Sequence, residues 1–184
     1  AVVSNEATER AGPEIARKLL AENERILDLG GLARGLMSVH TTFSCSGAYI
    51  QEAKEIARRH GALFQLHVSE GTYHVEDTLK RFGQRPVPYL QRLGVLDGST
   101  LASQCVHLDD AEIEIMADAG TKVTHNPVSN MEIGTGAAPL AGMLRAGLDV
   151  SLGDDGFVRA FDPFVNMSTT LLLHSLQTPG QVSA

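Results

Sequence analysis

Apolar and polar positions along the chain switch repeatedly between a helical and a strand-like period. Behind Pro13, which a first helical turn tolerates, Ala16, Leu19, Leu20, Asn23 and Leu27 recur at helical spacing until Gly30-Gly31 stops the run. Leu36 to Val39 reads as a short buried strand ending at His40. Ser46 then caps a helix that turns Tyr49, Ile50, Ala53, Ile56 and Ala57 inward and closes at Gly61. Ala62 to Leu66 is an apolar run ending at His67, followed by a polar helix around Val75 to Phe82 and a shorter one around Pro86 to Leu93. Thr100 to Val106 is the next strand, ending at His107. Asp109 caps a helix through Ile113, Met116 and Ala117 that Gly120 closes. Thr121 to Thr124 runs into His125-Asn126-Pro127. Leu140, Met143 and Leu144 mark a helix closed by Gly147, and Leu148 to Leu152 leads into Gly153-Asp154-Asp155-Gly156.

Strands alternating with helices imply right-handed βα units on a parallel sheet. Apolar runs with little alternation fit strands covered on both faces. A doubly wound open sheet and a portion of a (β/α)8 barrel both satisfy this pattern, so the polar residues must decide.

Composition narrows the function classes. The 184 residues are 43% hydrophobic, enough for one core, and the chain reads as a single domain over 1–184. A net charge of −7 from 15 basic and 22 acidic side chains, without a Lys/Arg run, argues against nucleic-acid or anionic-membrane partners. No apolar run approaches the roughly 20 residues that span a bilayer, and the first residues lack a signal peptide's layout. Cys45 and Cys105, far apart in sequence, do not suggest a disulfide framework, so a reducing cytoplasm is the expected compartment.

Four of the seven histidines, His40, His67, His107 and His125, fall where an expected strand stops, and Asp155 falls at the end of another. In a barrel the strand ends converge on one mouth, and that is where catalytic groups are placed. Histidines and carboxylates converging without cysteine suit a catalytic Zn or Fe site. A single histidine at a strand end is more often a polar residue opening a loop; the repetition in successive units favours the metal site. In His67-Val68-Ser69-Glu70 the glutamate, already in the loop, can reach a water without itself binding the metal, and can act as base and then acid. His-x-x-Glu spacing alone is weak, and Asp155 in its Gly-Asp-Asp-Gly setting is about as well explained by an ordinary turn. Ordinary turn chemistry also accounts for His125-Asn126-Pro127 and Ser129-Asn130.

Five ordered stretches resemble the amidohydrolase superfamily: Val39-His40-Thr41-Thr42-Phe43-Ser44-Cys45-Ser46, Leu66-His67-Val68-Ser69-Glu70-Gly71, Cys105-Val106-His107-Leu108-Asp109-Asp110, His125-Asn126-Pro127-Val128-Ser129-Asn130-Met131 and Leu152-Gly153-Asp154-Asp155-Gly156. They are most similar to the branch of cytosine and guanine deaminases and chlorohydrolases, with His-Val-Ser-Glu-Gly and Ser-Asn-Met leaning toward SsnA-like aminohydrolases. The resemblance implies one divalent metal, zinc or alternatively iron, at the mouth of a (β/α)8 TIM-type barrel. His67 and Asp155 match metal ligands, and Asp155 and Glu70 match the catalytic proton carriers. His40 matches a histidine lining the substrate pocket, and Gln104, His125 and Asn126 join it as expected substrate-binding positions. The implied reaction is hydrolytic deamination of a purine-like or pyrimidine-like heterocycle, in which water adds to an amidine-like ring carbon and ammonia leaves.

Two departures from the family pattern stand out. No two histidines lie two positions apart, so the family's His-x-His strand is expected before Ala1 and a C-terminal extension after Ala184. The chain is therefore read as the C-terminal portion of a barrel, about strands 3 to 8, and as inactive alone. Secondly, Gln104 stands where the family has a histidine, and an amide cannot change charge. The expected partners are a small heterocyclic substrate and further copies of the chain. The competing readings are chlorohydrolase-type hydrolysis on the same barrel and a catalytically incompetent binding or structural module.

Overall fold

A computed structural model describes residues 1–156 and 162–181. A two-residue strand β1 (Val2–Val3) leads to helix α1 (Pro13–Leu27), and β2 (Arg34–Gly35) pairs with β1 in parallel. Then follow β3 (Met37–Ser38), α2 (Gly47–Arg59), β4 (Phe64–Val68), α3 (Thr72–Phe82), α4 (Pro86–Arg92), β5 (Thr100–Gln104), α5 (Asp110–Asp118) and β6 (Lys122–His125). The remaining described elements are α6 (Pro127–Glu132), α7 (Leu140–Arg145), β7 (Val150–Leu152) and α8 (Pro163–Gln177).

Strands β3 to β7 form one parallel sheet in sequence order, each reached through helical connections, as expected for consecutive units of a (β/α)8 barrel. The helices cover one face. On it Phe64, Leu66 and Val68 of β4, Ala102 of β5 and Val123 of β6 are buried against Ile50, Ala53, Leu90 and Met116 in a single core cluster. Local chemistry explains the helices: Ser46 accepts from Tyr49 N at the start of α2, and Asp109 with Glu112 forms a reciprocal capping box on α5.

The strands are not apolar on both faces. Strand β4 alternates, with Gln65 and His67 only half-buried on the opposite side from its core residues. Ser38 bonds Gln65, Gln65 donates to Ser103 at 2.8 Å, and Thr124 meets Ser151 at 3.3 Å. This inner face is held by side-chain hydrogen bonds between neighbouring strands, so the expectation of strands covered on both faces by apolar packing does not hold here. Boundaries shift too: β4 runs on through Val68, placing His67 inside it, and β5 stops at Gln104, leaving His107 in a turn. The sequence reading assigned no helix to α6 or α8.

A further stretch behaves as a strand without being long enough to count as one. Ala7 bridges Val39 in parallel, its N–H bonding Ser38 O at 3.0 Å, while His40 N bonds Ala7 O at 2.9 Å. Buried Asn23 of α1 fixes this stretch, accepting from Asn5 N at 2.9 Å and donating to Ser38 O at 3.0 Å. Glu6 is thereby delivered beside the tip of β3.

At the opposite end of the sheet, Lys54 is fully buried and donates to Asp97 at 2.7 Å and to Ser99 and Thr100 at 2.8 Å each. Asp97 also pairs with Arg58 at 3.0 Å and is partly exposed, so water and Arg58 would offset part of its loss. Lys54→Met is expected to lower stability in urea denaturation by about 2 kcal/mol, the cost of charge-assisted hydrogen bonds rather than of a stranded ion.

Candidate active site

The tips of the parallel strands carry the chemistry. The chain takes a positive φ at only four described non-glycine residues, Ser69 (47°), Gln104 (77°), Cys105 (53°) and Asp155 (59°). All four lie at the ends of β4 and β5 or just beyond β7, so backbone strain gathers at one rim, as it does at functional sites.

His67 stands on the inner face of β4. Its Nδ1 lies 3.1 Å from the His40 carbonyl, which can only accept, so Nδ1 carries a proton and Nε2 is the nitrogen left for another partner. The same nitrogen is 3.3 Å from Glu6 Oε1. The His40 ring lies 5.4 Å from that of His67, with Nδ1 at 2.6 Å from Ser44 Oγ. That hydroxyl donates to Thr41 O at 3.2 Å, and it therefore accepts from His40, again leaving Nε2 available. Burial, reinforced by the charges of His67 and Arg10, pushes His40 down to about 4, keeping it neutral.

Among the described residues, one group of three potential metal donors emerges: ligand atoms of Glu6, His40 and His67 all lie within 4.8 Å of one another. Two imidazoles and a carboxylate, without thiolate, form a donor set that suits zinc or non-haem iron. The sequence reading missed Glu6, since no local motif marks it. Asp155 is not in this group; its Oδ2 accepts from Ser129 at 2.6 Å.

Glu70 follows Ser69 out of β4, and its loop is tied by His107 N to Ser69 O at 2.8 Å. Burial raises its carboxyl above the ordinary glutamate value; the charge of His67 opposes this, and those of Asp155 and Glu6 add to it. Glu70 therefore lies within electrostatic reach of both His67 and Asp155. His74, one turn further on in α3, is buried, and the sequence reading did not single it out.

The other expected substrate positions lie differently. His125 is fully buried, and its Nε2 meets His174 Nε2 of α8 at 3.0 Å, directed at a helix rather than at the Glu6–His40–His67 group. Gln104 is buried and accepts from Asn130 Nδ2 at 2.8 Å. Asn126 is buried, its Oδ1 without a hydrogen-bond partner among the described residues, against Gly153. Beside His40, a cleft of about 360 Å³ is lined by Arg10, Phe43, Ser44 and Arg81 among others.

A parallel α/β sheet whose strand tips gather histidines and carboxylates is the architecture of a metal-dependent barrel hydrolase. The chain belongs to the amidohydrolase family, whose model matches residues 3–178. It is 32% identical to a 5'-deoxyadenosine deaminase from Methanopyrus kandleri over 182 residues, covering 96% of this chain and 42% of that protein. It is 36% identical over 149 residues to a 5-methylthioadenosine/S-adenosylhomocysteine deaminase from Syntrophobacter fumaroxidans, covering 80% and 34%. The chain thus spans well under half the length of these relatives. Among solved structures, it superposes on an adenosine deaminase from Xanthomonas campestris with bound zinc at a TM-score of 0.83 and 25% identity, covering 96% of this chain and 41% of that one. Guanine deaminase from E. coli shares the fold at a TM-score of 0.85 and 14% identity, covering 96% and 43%.

Two outcomes follow from this geometry. A Cβ at Gly153 would fall 2.3 Å from Asn126 Oδ1 and 2.7 Å from Thr124 Cγ2. Gly153→Ala is therefore expected to lower stability by about 1–3 kcal/mol in thermal denaturation, as overpacking does. Burial, aided by His174, depresses His125 to about 4. The unfolded chain, titrating near 6.5, then binds more protons, so stability is lost as pH falls from about 6.5 to about 4, by at most about 1.4 kcal/mol per pH unit from this group. His125→Gln should flatten that slope in denaturation curves measured across the window.

Proposed function

We propose that this chain is the C-terminal portion of a metal-dependent aminohydrolase barrel that deaminates a nitrogen heterocycle of adenosine-like or related purine or pyrimidine chemistry. The observation that carries the reading is a partly desolvated Glu70 beside the Glu6–His40–His67 donor group. Three groups there thus offer ligand atoms, and one carboxyl of raised proton affinity stands next to them. The deaminase names of the relatives support the leaving group, and the zinc in the Xanthomonas structure supports the metal.

In this reading His67 and Asp155 hold a divalent ion, zinc by preference, with Glu6 and His40 within reach of the same place. When bound, the ion supplies the Lewis acidity that makes water a nucleophile at neutral pH. Glu70, its proton affinity raised by burial, takes a proton from the attacking water and passes it to a ring nitrogen of the substrate. Asp155 accepts the water's second proton and hands it to the departing amino group, which leaves the ring carbon as ammonia. His40 borders the substrate pocket, and Gln104 and Asn126 supply hydrogen bonds without changing charge. The same reading takes the full-length protein for a cytoplasmic homo-oligomer. Among the described residues, no helix is long and apolar enough to cross a membrane.

A chlorohydrolase reading shares the machinery and is favoured by likeness to an atrazine chlorohydrolase from Arthrobacter aurescens complexed with zinc, at a TM-score of 0.79 and 18% identity over 90% of this chain and 38% of that one. Product analysis separates the two, since ammonia is released in one case and chloride in the other.

Within a complete zinc-loaded barrel, a panel of aminated purines, pyrimidines and triazines is expected to yield ammonia from at least one member. Glu70→Gln should lower kcat by about 10²–10⁴-fold with zinc content unchanged, the usual weight of a positioned acid–base group. Silence across the whole panel, or full turnover by the glutamine variant, would sink the assignment.

A further inference from the structure

His74 is 1% exposed, yet neither of its ring nitrogens has a hydrogen-bond partner among the described residues. Burying an imidazole with both polar atoms unmet is costly, so its surroundings must supply a partner in some populated state. The ring cannot readily turn to find one. Phe43 packs edge-on at 4.8 Å between centroids, and Tyr73 does so at 4.3 Å. The polar atom facing it is Glu70 Oε2, 3.8 Å from His74 Nε2. A side-chain movement of about 1 Å by Glu70 would bring that pair to hydrogen-bond distance.

We propose that His74 is a positioning residue for Glu70, its Nε2–H donating to one carboxylate oxygen and leaving the other free at the rim. The catalytic consequence rests on the aminohydrolase reading; the contact itself does not. Burial, together with the charges of His67, His40, His107 and Arg10, pushes His74 down to about 4, so it is neutral and donates through a single nitrogen. Glu70 precedes His74 by four residues, the spacing of one helical turn. The cap position between them, Gly71, has no side chain to compete for the carboxylate. A bond from a neutral donor on a rigid aromatic bed would fix the carboxylate without adding a positive charge beside the ligand group.

A double-mutant cycle on the 184-residue chain tests the contact independently of turnover. Glu70→Ala, His74→Leu and the double variant are melted, and the two shifts in Tm are expected to be non-additive by about 2–4 °C. Additive shifts would overturn the contact. Where His74→Leu does not fold, His74→Phe, matched to the aromatic surroundings, replaces it in the cycle. In the complete zinc-loaded protein, His74→Leu should lower kcat by about 10- to 100-fold with KM changed less than about 2-fold and zinc content unaltered. His74→Gln, which keeps a donor, should recover most of the loss. Equal losses in the leucine and glutamine variants, or a change confined to KM, would overturn the positioning role. If the unsubstituted protein deaminates nothing, the aminohydrolase reading fails while the melting cycle still decides the contact.

Discussion

A run of backbone hydrogen bonds across the strand tips holds this site together. His40 N bonds Ala7 O, His67 N bonds His40 O, Cys105 N bonds Val68 O and Gly153 N bonds His125 O, each at 2.9 Å. Parallel pairing in sequence order sends every strand the same way, so residues as far apart as 6, 40, 67 and 155 end on one rim. Because side chains alternate with a period of two, a one-residue slip between β3 and β4 would turn His67 into the helix-covered core. The register Met37↔Phe64 and Ser38↔Gln65 prevents that slip, and the Ser38–Gln65–Ser103 bonds reinforce it from the inner face.

Charge at that rim is unbalanced in a way that bears on function. Burial, with the charges of Asp155 and Glu6 adding to it, raises the proton affinity of Glu70, while the nearby imidazoles His40 and His74 are kept neutral by burial. Carboxylates gathered around uncharged histidines repel one another and attract a cation, and neutral imidazole is the form that ligates metal. The raised affinity of Glu70 and the neutrality of His40 and His74 therefore have one origin: polar groups crowded where water is partly excluded.

How much of this was legible in the sequence depended on whether a signal was local. The helix starts at Pro13, Ser46 and Asp109 were readable because capping chemistry is a matter of a few adjacent residues. The five family-like motifs were readable for the same reason. Glu6 was not, because its position comes from Asn23 and from the Ala7–Val39 bridge, both dependent on chain distant in sequence. His125 could be placed at a strand end, but not on a side of the sheet; its burial against His174 depends on α8, a helix the periodicity did not announce. Helix α6 begins Pro-Val-Ser-Asn, residues that read equally well as a turn, and only packing makes them helical.

Gln104 shows what a buried amide at a strand end asks of its neighbours. Its carbonyl accepts from Asn130, so an amide at the end of β5 and one within α6 lock together, with Gln104 Nε2 and Asn130 Oδ1 both buried and without a partner among the described residues. The positive φ at 104 and 105 is the cost of turning the chain there. An amide pair offers one donor and one acceptor at any working pH, whereas a histidine would trade them as it titrates. Proton traffic in the proposed reaction then falls entirely to carboxylates, and Glu70 must both take and give. For a carboxylate that demands a raised proton affinity, and burial at the rim supplies it.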